Sequence, residues 1–203
     1  MALTSVPATT TPYIATLDAF TRADIGTAGG KGANLGELLR AGFPVPLGFV
    51  LTTAAYDRFV AASGLHAQLT AELSELHSGD AALHQAFLSA AVPDEIAEAA
   101  CAAYRALGGA VAVRSSATAE DLPGSTFAGQ QETFLGVAGE EALLQAVRAC
   151  WASLWSERAV AYRQQHGVDH TAIKMAVVVQ RPRPRWRACS SPPTRSPVLA
   201  MKS

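Results

Sequence analysis

The sequence predicts a mixed α/β domain of the α+β type, on three observations. Several long stretches repeat leucine, alanine or another apolar residue at the spacing of an amphipathic helix. Short apolar runs rich in valine, bounded by glycine or proline, have the composition of strands. Hydrophobic residues make up 49% of the 203 residues and charged residues 16%, which is enough apolar material for one domain with a sizeable core.

The first half of the chain is predicted to be mainly helical. Three leucines share one face of the first predicted helix, and Gly42 is its stop signal. Thr52, with Thr53, has the side chain needed to cap the next helix. Pro93 opens the last helix of this half near its first position, where no intrahelical hydrogen bond is lost. The predicted elements are a helix over 31–41, a strand over 45–51, and helices from the two threonines to about 62 and over 65–76, 81–91 and 93–107.

The second half is predicted to combine strands with one long amphipathic helix. Its last strand is apolar except for Lys174, so this strand is expected to be buried in a sheet. Trp151 and Trp155 are four residues apart on the predicted helix and are expected to lie in the core. The predicted elements are strands over 110–113, 133–137 and 173–180 and a helix over 140–166.

The segment between the first two of these strands has the composition of a phosphate site. Residues 113–134 read Val-Arg-Ser-Ser-Ala-Thr-Ala-Glu-Asp-Leu-Pro-Gly-Ser-Thr-Phe-Ala-Gly-Gln-Gln-Glu-Thr-Phe. Arg114 directly follows the predicted strand, and a guanidinium presents a fork of N–H donors that matches phosphate oxygens. Gly124 and Gly129 let backbone N–H groups approach an anion without a Cβ in the way. These features predict a polyphosphate site; the alternative is a structural ion pair for the arginine and loop hydroxyls for the serines.

A second glycine-rich element opens the first predicted helix. Residues 29–35 read Gly-Gly-Lys-Gly-Ala-Asn-Leu. They match neither a Walker A loop, which needs glycine at Ile25 and Ser or Thr at Gly32, nor a dinucleotide fingerprint, which needs glycine at Leu35. The spacing alone predicts a glycine turn with Lys31 at the helix end that attracts anions. The alternative is a loop glycine pair beside a solvated lysine.

These two elements carry a family resemblance, together with residues 42–49, which read Gly-Phe-Pro-Val-Pro-Leu-Gly-Phe. In this order the three blocks resemble the N-terminal nucleotide-binding domain of phosphoenolpyruvate synthases, pyruvate phosphate dikinases and rifampin phosphotransferases. The similarity covers about residues 13–181. It implies an ATP-grasp-like domain that binds ATP and is incomplete at its C-terminus.

The resemblance also implies roles for five residues. Lys31 and Arg114 would contact the nucleotide phosphates, and Gly129 and Thr133 would lie in a glycine-rich flap over the phosphate tail. Gln180, at the end of the last predicted strand, would hydrogen-bond the adenine edge. From the residues alone, a strand-end amide without a ligand is the favoured interpretation of Gln180. The resemblance implies no catalytic residue and no metal ligand in this chain.

The activity implied by the resemblance involves more than this domain. In such relatives ATP phosphorylates a histidine on a separate swivelling domain, which leaves AMP and phosphate, and the phosphohistidine then transfers its group to pyruvate or a rifamycin. We therefore expect an ATP-binding fragment of a phosphotransferase that is inactive alone. Mg²⁺ would bridge phosphate oxygens, with its protein ligands expected beyond residue 181. Two alternatives stay open: a non-catalytic nucleotide-binding or regulatory module, and a stand-alone ATP-grasp ligase-like protein.

The composition changes sharply after residue 180. Residues 1–180 contain 10 Lys and Arg against 17 Asp and Glu, whereas 181–203 contain 6 basic residues and no acidic one. Shifting the codons of 185–198 by one frame, with third bases chosen freely, spells Val-Ala-Gly-Val-Leu-Phe-Thr-Ala-Asp-Pro-Val-Thr-Gly, the segment that the resemblance leads us to expect. We therefore expect residues 182–203 to be a frame-shifted, disordered basic tail. The alternative is a genuine Arg/Pro tail for nucleic acid or anionic lipid.

The remaining features exclude several classes of protein. No apolar run approaches the roughly 20 residues that span a bilayer. Residues 1–12, expected to be disordered, lack the basic start and apolar core of a signal peptide. Three widely spaced cysteines fit neither a disulfide framework nor a metal site. We therefore expect a cytoplasmic protein without nucleic-acid or membrane partners.

Overall fold

The computed structural model describes residues 11–65, 69, 81–118, 132–169 and 172–182. Most of the predicted helix over 65–76, the glycine-rich loop over 119–131 and the basic tail from 183 onward lie outside the described residues. No helix among the described residues is long and apolar enough to cross a membrane. The described strands and α-helices, in chain order, are β1 (Ile14–Thr16), α1 (Ile25–Arg40), β2 (Gly48–Leu51), α2 (Thr53–Ala62), α3 (Ala81–Ser89), α4 (Asp94–Leu107), β3 (Val111–Ala117), β4 (Thr133–Val137), α5 (Glu140–Ala152), α6 (Glu157–Gln165) and β5 (Met175–Gln180).

The described strands form a five-stranded sheet in the order β1-β2-β5-β3-β4. Every neighbouring pair is antiparallel. β5 lies at the centre and all six of its residues are buried, which confirms the predicted burial of this strand. In register, Val178 of β5 lies between Val50 of β2 and Arg114 of β3.

Alternation of side chains along the strands gives the sheet two faces with different partners. One face, which includes Phe49, Val113 and Val179, packs with α2 to α5 in the main hydrophobic core. The opposite face, which includes Val50 and Val178, packs against α1 in a smaller cluster. Residues of β3 that alternate with Val113 therefore lie on the same face as α1.

The main core is built around aromatic side chains. The ring of Trp151 is 4.6 Å from that of Phe59, measured between centroids, and Tyr56 packs edge-on to it at 6.4 Å. The indole N–H of Trp155 donates to the Tyr56 hydroxyl at 3.2 Å, so this buried polar pair is satisfied. Trp151 and Trp155 are 0% and 3% exposed, which confirms their predicted place in the core.

The single helix predicted over 140–166 is wrong, because two helices occupy this stretch. A 3-10 turn over Ser153–Trp155 separates α5 from α6. Ser156 is the N-cap of α6: its backbone is extended and its hydroxyl accepts a hydrogen bond from the Ala159 N–H. A serine followed by glutamate is a helix-start signal that outweighs the continuous apolar spacing.

The first two helices match their predictions only in part. α1 begins at Ile25 instead of 31, and non-helical backbone at Gly29 interrupts it just before the predicted start. α2 has the predicted N-cap, Thr52. However, the Thr52 hydroxyl donates to the Pro12 carbonyl at 2.6 Å and makes no capping bond to a helix N–H.

Three predicted strands have different bounds. The strand predicted over 173–180 begins two residues later, at Met175. The strand predicted over 45–51 is confined to Gly48–Leu51, because the prolines before it have no N–H to pair with a neighbouring strand. The strand predicted over 110–113 continues as Val111–Ala117. Arg114 therefore lies inside a strand and does not follow one.

Candidate functional site

Two of the predicted site residues are neighbours across the sheet. Arg114 of β3 is aligned with Thr133 of β4 in the antiparallel pair. Arg114 is half-buried and Thr133 is exposed. The Nε atom of Arg114 is buried and has no hydrogen-bond partner among the described residues. Because a buried N–H without a partner is costly, this guanidinium is well suited to an anionic ligand.

A second cation reaches the same strand from α1. Lys31 lies just after the interruption at Gly29, and its Nζ donates to the main-chain oxygen of Ser115 at 2.7 Å. Ser115 directly follows Arg114, so the Lys31 ammonium is held at the β3 position next to the one that carries the guanidinium. Two cations held at adjacent positions raise the local positive potential, which attracts phosphate oxygens.

The thiol of Cys150 in α5 is close enough to respond to the charges of this site. Burial raises the pKa of the Cys150 thiol well above its usual range, the Glu132 carboxylate raises it further, and the Lys31 ammonium opposes both. Cys150 is 0% exposed. The protonated, buried thiol is therefore unsuited to act as a nucleophile.

The turn that carries Lys31 is fixed by Ser116 of β3. The Ser116 hydroxyl donates to the Ala28 carbonyl at 2.9 Å and accepts from the Gly32 N–H at 3.1 Å. Ser116 is 0% exposed. The alternative view of this serine as a loop hydroxyl is wrong, because β3 extends through it. Its importance was missed in the sequence, although alternation along a longer strand would have placed it on the same face as Arg114.

Gln180 ends β5 and is buried, with 5% of its surface exposed. Its Nε2 donates to the Pro46 carbonyl at 3.3 Å. Gly48, its neighbour on β2, leaves room for the side chain, since a Cβ there would be 2.7 Å from the Gln180 Cγ. A carbonyl can only accept, so the amide nitrogen makes this contact and the amide oxygen can accept a further hydrogen bond.

The predicted residues are arranged in a line on one face of the sheet. Arg114 is aligned with Val178, and Gln180 lies two positions further along β5, or about 7 Å. Lys31 is anchored on the other side of Arg114, at Ser115. The cations therefore cluster at one end of the line and the amide lies at the other.

Neither the glycine-rich loop over 119–131 nor a metal-ligand cluster is among the described parts of the site. Gly129, the remaining predicted site residue, lies outside the described residues, as does Gly124. Among the residues that the structure describes, no group of three or more His, Cys, Asp or Glu side chains is placed to hold a metal ion. Two cations, a strand hydroxyl and a buried amide therefore define a site suited to a phosphorylated ligand.

Comparison with known families identifies the domain. The profile of the family described as "Pyruvate phosphate dikinase, AMP/ATP-binding domain" matches residues 25–183. The chain belongs to this family, and the resemblance inferred from its three sequence blocks is confirmed.

Three relatives illustrate the range of the family. The chain is 45% identical over 183 residues to a probable phosphoenolpyruvate synthase of Methanothermobacter thermautotrophicus, covering 83% of this chain and 27% of the relative. It is 48% identical over 170 residues to a rifampicin phosphotransferase of Streptomyces sp, and the match covers 78% of this chain and 20% of the relative. It is 41% identical over 181 residues to a phosphoenolpyruvate synthase of Aeropyrum pernix, and the match covers 81% of this chain and 22% of the relative. The matched region thus spans only about a fifth to a quarter of these relatives.

Proposed function

We propose that this chain binds ATP along the sheet face that carries Arg114 and Gln180, beside Lys31 of α1. The chain contains an AMP/ATP-binding domain of its family, which supports ATP as the ligand. One observation carries the placement: the Lys31 ammonium is anchored beside Arg114, whose buried Nε–H lacks a partner among the described residues. The oxygens of a triphosphate can accept hydrogen bonds from both cations.

Each predicted residue has a defined role in this proposal. Lys31 and Arg114 bind phosphate oxygens, and the Thr133 hydroxyl, aligned with Arg114, donates to the same group. Gly129 contributes a backbone N–H from the loop. The amide oxygen of Gln180 accepts from the amino group of adenine, because its amide nitrogen is engaged by the Pro46 carbonyl. The linear order of these residues supports a nucleotide that lies along the sheet, phosphates at one end and base at the other.

We also propose that the nucleotide-binding fold is ATP-grasp-like. The antiparallel sheet supports this proposal, because the face that carries the charged and amide groups packs against α1, the helix of Lys31, while the helices of the main core cover the other face.

In the whole protein, we propose a phosphotransferase reaction with a phosphohistidine intermediate. ATP gives one phosphoryl group to a histidine of a swivelling domain and one to water, and leaves AMP. The histidine then transfers its phosphoryl group to an acceptor, pyruvate or a rifamycin, as in the relatives that the chain resembles. The part played by this chain is to hold the triphosphate and to orient it for transfer.

Mg²⁺ belongs to the same proposal but has no assigned ligand among the described residues. No described cluster of acidic, histidine or cysteine side chains is placed to hold it. Mg²⁺ in nucleotide sites is bound largely by phosphate oxygens and water, so the ion would enter with ATP. It would supply charge neutralisation on the phosphates.

Isothermal titration of ATP into the purified 203-residue chain tests the proposal. We expect saturable binding with or without Mg²⁺, and no AMP release on prolonged incubation. Absence of binding would contradict the ATP site, and AMP release would contradict inactivity of the chain alone. Metal-independent binding favours a fragment or a regulatory module over a complete kinase, whereas ADP release that depends on an added carboxylate substrate would favour a ligase.

A further inference from the structure

We propose, on the basis of ATP binding at this face, that Ser116 is the positioning residue of the phosphate site. Its hydroxyl takes the place of a backbone hydrogen bond in α1, and in doing so it sets the position of Lys31 relative to Arg114.

The hydroxyl lies within the hydrogen-bond ladder of α1. In an uninterrupted helix, the Gly32 N–H donates directly to the Ala28 carbonyl. Here Gly29 has φ 68° and ψ 172°, which breaks the helical path between them. Ser116 accepts from Gly32 N–H at 3.1 Å and donates to Ala28 C=O at 2.9 Å, so one side chain bridges both partners. Insertion of a side chain into this ladder is a recognised cause of a sharp kink.

The Ser116 bridge is made where α1 and β3 are closely packed. A Cβ on Gly29 would lie 2.0 Å from the Ser116 main-chain oxygen and 2.4 Å from its hydroxyl oxygen. The Ser116 side chain is fully buried, so water does not compete for its two hydrogen bonds. The contact therefore fixes the start of the second part of α1 against β3.

The contact between Ser116 and α1 fixes the position of Lys31 and does not affect the base-binding end of the site. Lys31 lies between Gly29 and Gly32, in the stretch that the Ser116 hydroxyl bridges. Its Nζ is anchored to the carbonyl of Ser115, and Arg114 is two residues before Ser116 on the same face of β3. Loss of the hydroxyl should therefore displace Lys31 from the phosphates while leaving Gln180, at the far end of the line, in place.

A double-mutant cycle tests this role by calorimetric titration of the full chain with ATP and with adenosine. Ser116→Ala is expected to weaken ATP binding about tenfold, the scale of a lost helix cap, and to change adenosine binding by less than about twofold. In a Lys31→Met background the same substitution should change ATP affinity by less than about twofold, because the group that it positions is gone. Ser116→Cys keeps the side-chain volume but bonds weakly, so it should reproduce the ATP loss if the alanine variant does not fold.

Ser153→Ala is the matched control. Ser153 is also buried and its hydroxyl donates to the Cys150 carbonyl at 2.7 Å, so its loss should lower stability without changing ATP affinity. Three results would overturn the positioning role. The first is that Ser116→Ala weakens ATP binding equally in the wild-type and Lys31→Met backgrounds, and the second is that it weakens ATP and adenosine binding equally. The third is unchanged ATP affinity in both Ser116 variants. If Lys31→Met itself left ATP affinity unchanged, the proposed ATP site would fail instead.

Discussion

Gly29 and Ser116 are packed so closely that a side chain at position 29 has no space. A Cβ there would lie 2.0 Å from the main-chain oxygen of Ser116. Gly29 also has a φ of 68°, in the left-handed region that favours glycine. Steric and conformational constraints therefore both require glycine at this position. Gly26, near the start of the same helix, has open space where a Cβ would be.

Gly29→Ala is expected to lower the free energy of unfolding by more than about 3 kcal/mol, because the cost of backbone strain is added to the cost of a clash with backbone atoms. Gly26→Ala should leave it unchanged or raise it by up to about 1 kcal/mol, because alanine favours an exposed helix position. Urea denaturation followed by circular dichroism measures both. Similar effects of the two substitutions would show that the close approach of α1 to β3 is wrong.

Gln180 is predicted to select adenine over guanine. The amino group of adenine can donate to the Gln180 amide oxygen, whereas guanine presents a carbonyl oxygen at the corresponding position. Gln180→Leu is expected to lower ATP affinity about tenfold and to leave GTP affinity within about twofold. Competition of GTP against ATP in calorimetric titrations gives both affinities. Gln145→Leu, at an exposed position of α5, is the control and should change neither the ATP affinity nor the GTP affinity. If the ratio of ATP affinity to GTP affinity were unchanged in the Gln180 variant, the assigned role would be contradicted.

Asp24 is predicted to make the stability of the start of α1 depend on pH. The Thr21 hydroxyl and N–H each donate to its carboxylate at 2.8 Å, and these bonds lower the pKa of Asp24 below its ordinary value of 3.8. A lowered folded-state pKa means that the stabilisation is fully present above the ordinary value and is lost as pH falls through the folded-state value. Asp24→Asn keeps an oxygen acceptor but loses the charge, so it should lower the free energy of unfolding at pH 7 by less than about 1 kcal/mol, and by nothing once the aspartate is protonated.

Urea denaturation at a series of pH values from 7 down to about 2 checks the Asp24 prediction against the carboxyl titration range. Ser156→Ala removes the N-cap of α6, which has no titrating group, so its cost should stay the same across this range. A difference between wild type and Asp24→Asn that did not shrink with falling pH would exclude the ionised carboxylate as its cause.

Local signals in the sequence were sufficient to predict several elements of the fold. The central strand β5 was predictable because a run of buried valines has no other simple explanation. The start of α2 was predictable from Thr52, although the hydroxyl of this residue makes no capping bond, and the burial of Trp151 was predictable from its helical spacing. Each of these predictions depends on a few neighbouring residues.

The parts that sequence reasoning missed depend on distant contacts. β3 was cut short at Val113 because the next residues are polar. They are in a strand because they pair with β5, and the contacts of Ser115 and Ser116 with Lys31 and the glycine turn satisfy their polar groups. The division of the 140–166 helix was missed because apolar spacing continues across the cap at Ser156. The alignment of Arg114 with Thr133 likewise required the sheet register.

The basic segment 182–203 leads to a prediction about the gene. We propose that it is frame-shifted, since its codons can be regrouped to give the segment expected from the family. The family match ends at residue 183, close to the change in composition. Sequencing the DNA through codon 181 and beyond should show Val-Ala-Gly-Val-Leu-Phe in another frame. A nucleotide sequence incompatible with that regrouping would leave the genuine basic tail as the explanation.

The central claim is that Lys31 and Arg114 together hold the triphosphate of ATP, and titration of the double variant Lys31→Met/Arg114→Met measures this directly. We expect wild-type protein to bind ATP saturably and the folded double variant to bind it at least about a hundredfold more weakly, because two charge-assisted contacts are lost. Circular dichroism establishes that the variant is folded. Unchanged ATP affinity in that folded variant would contradict the account.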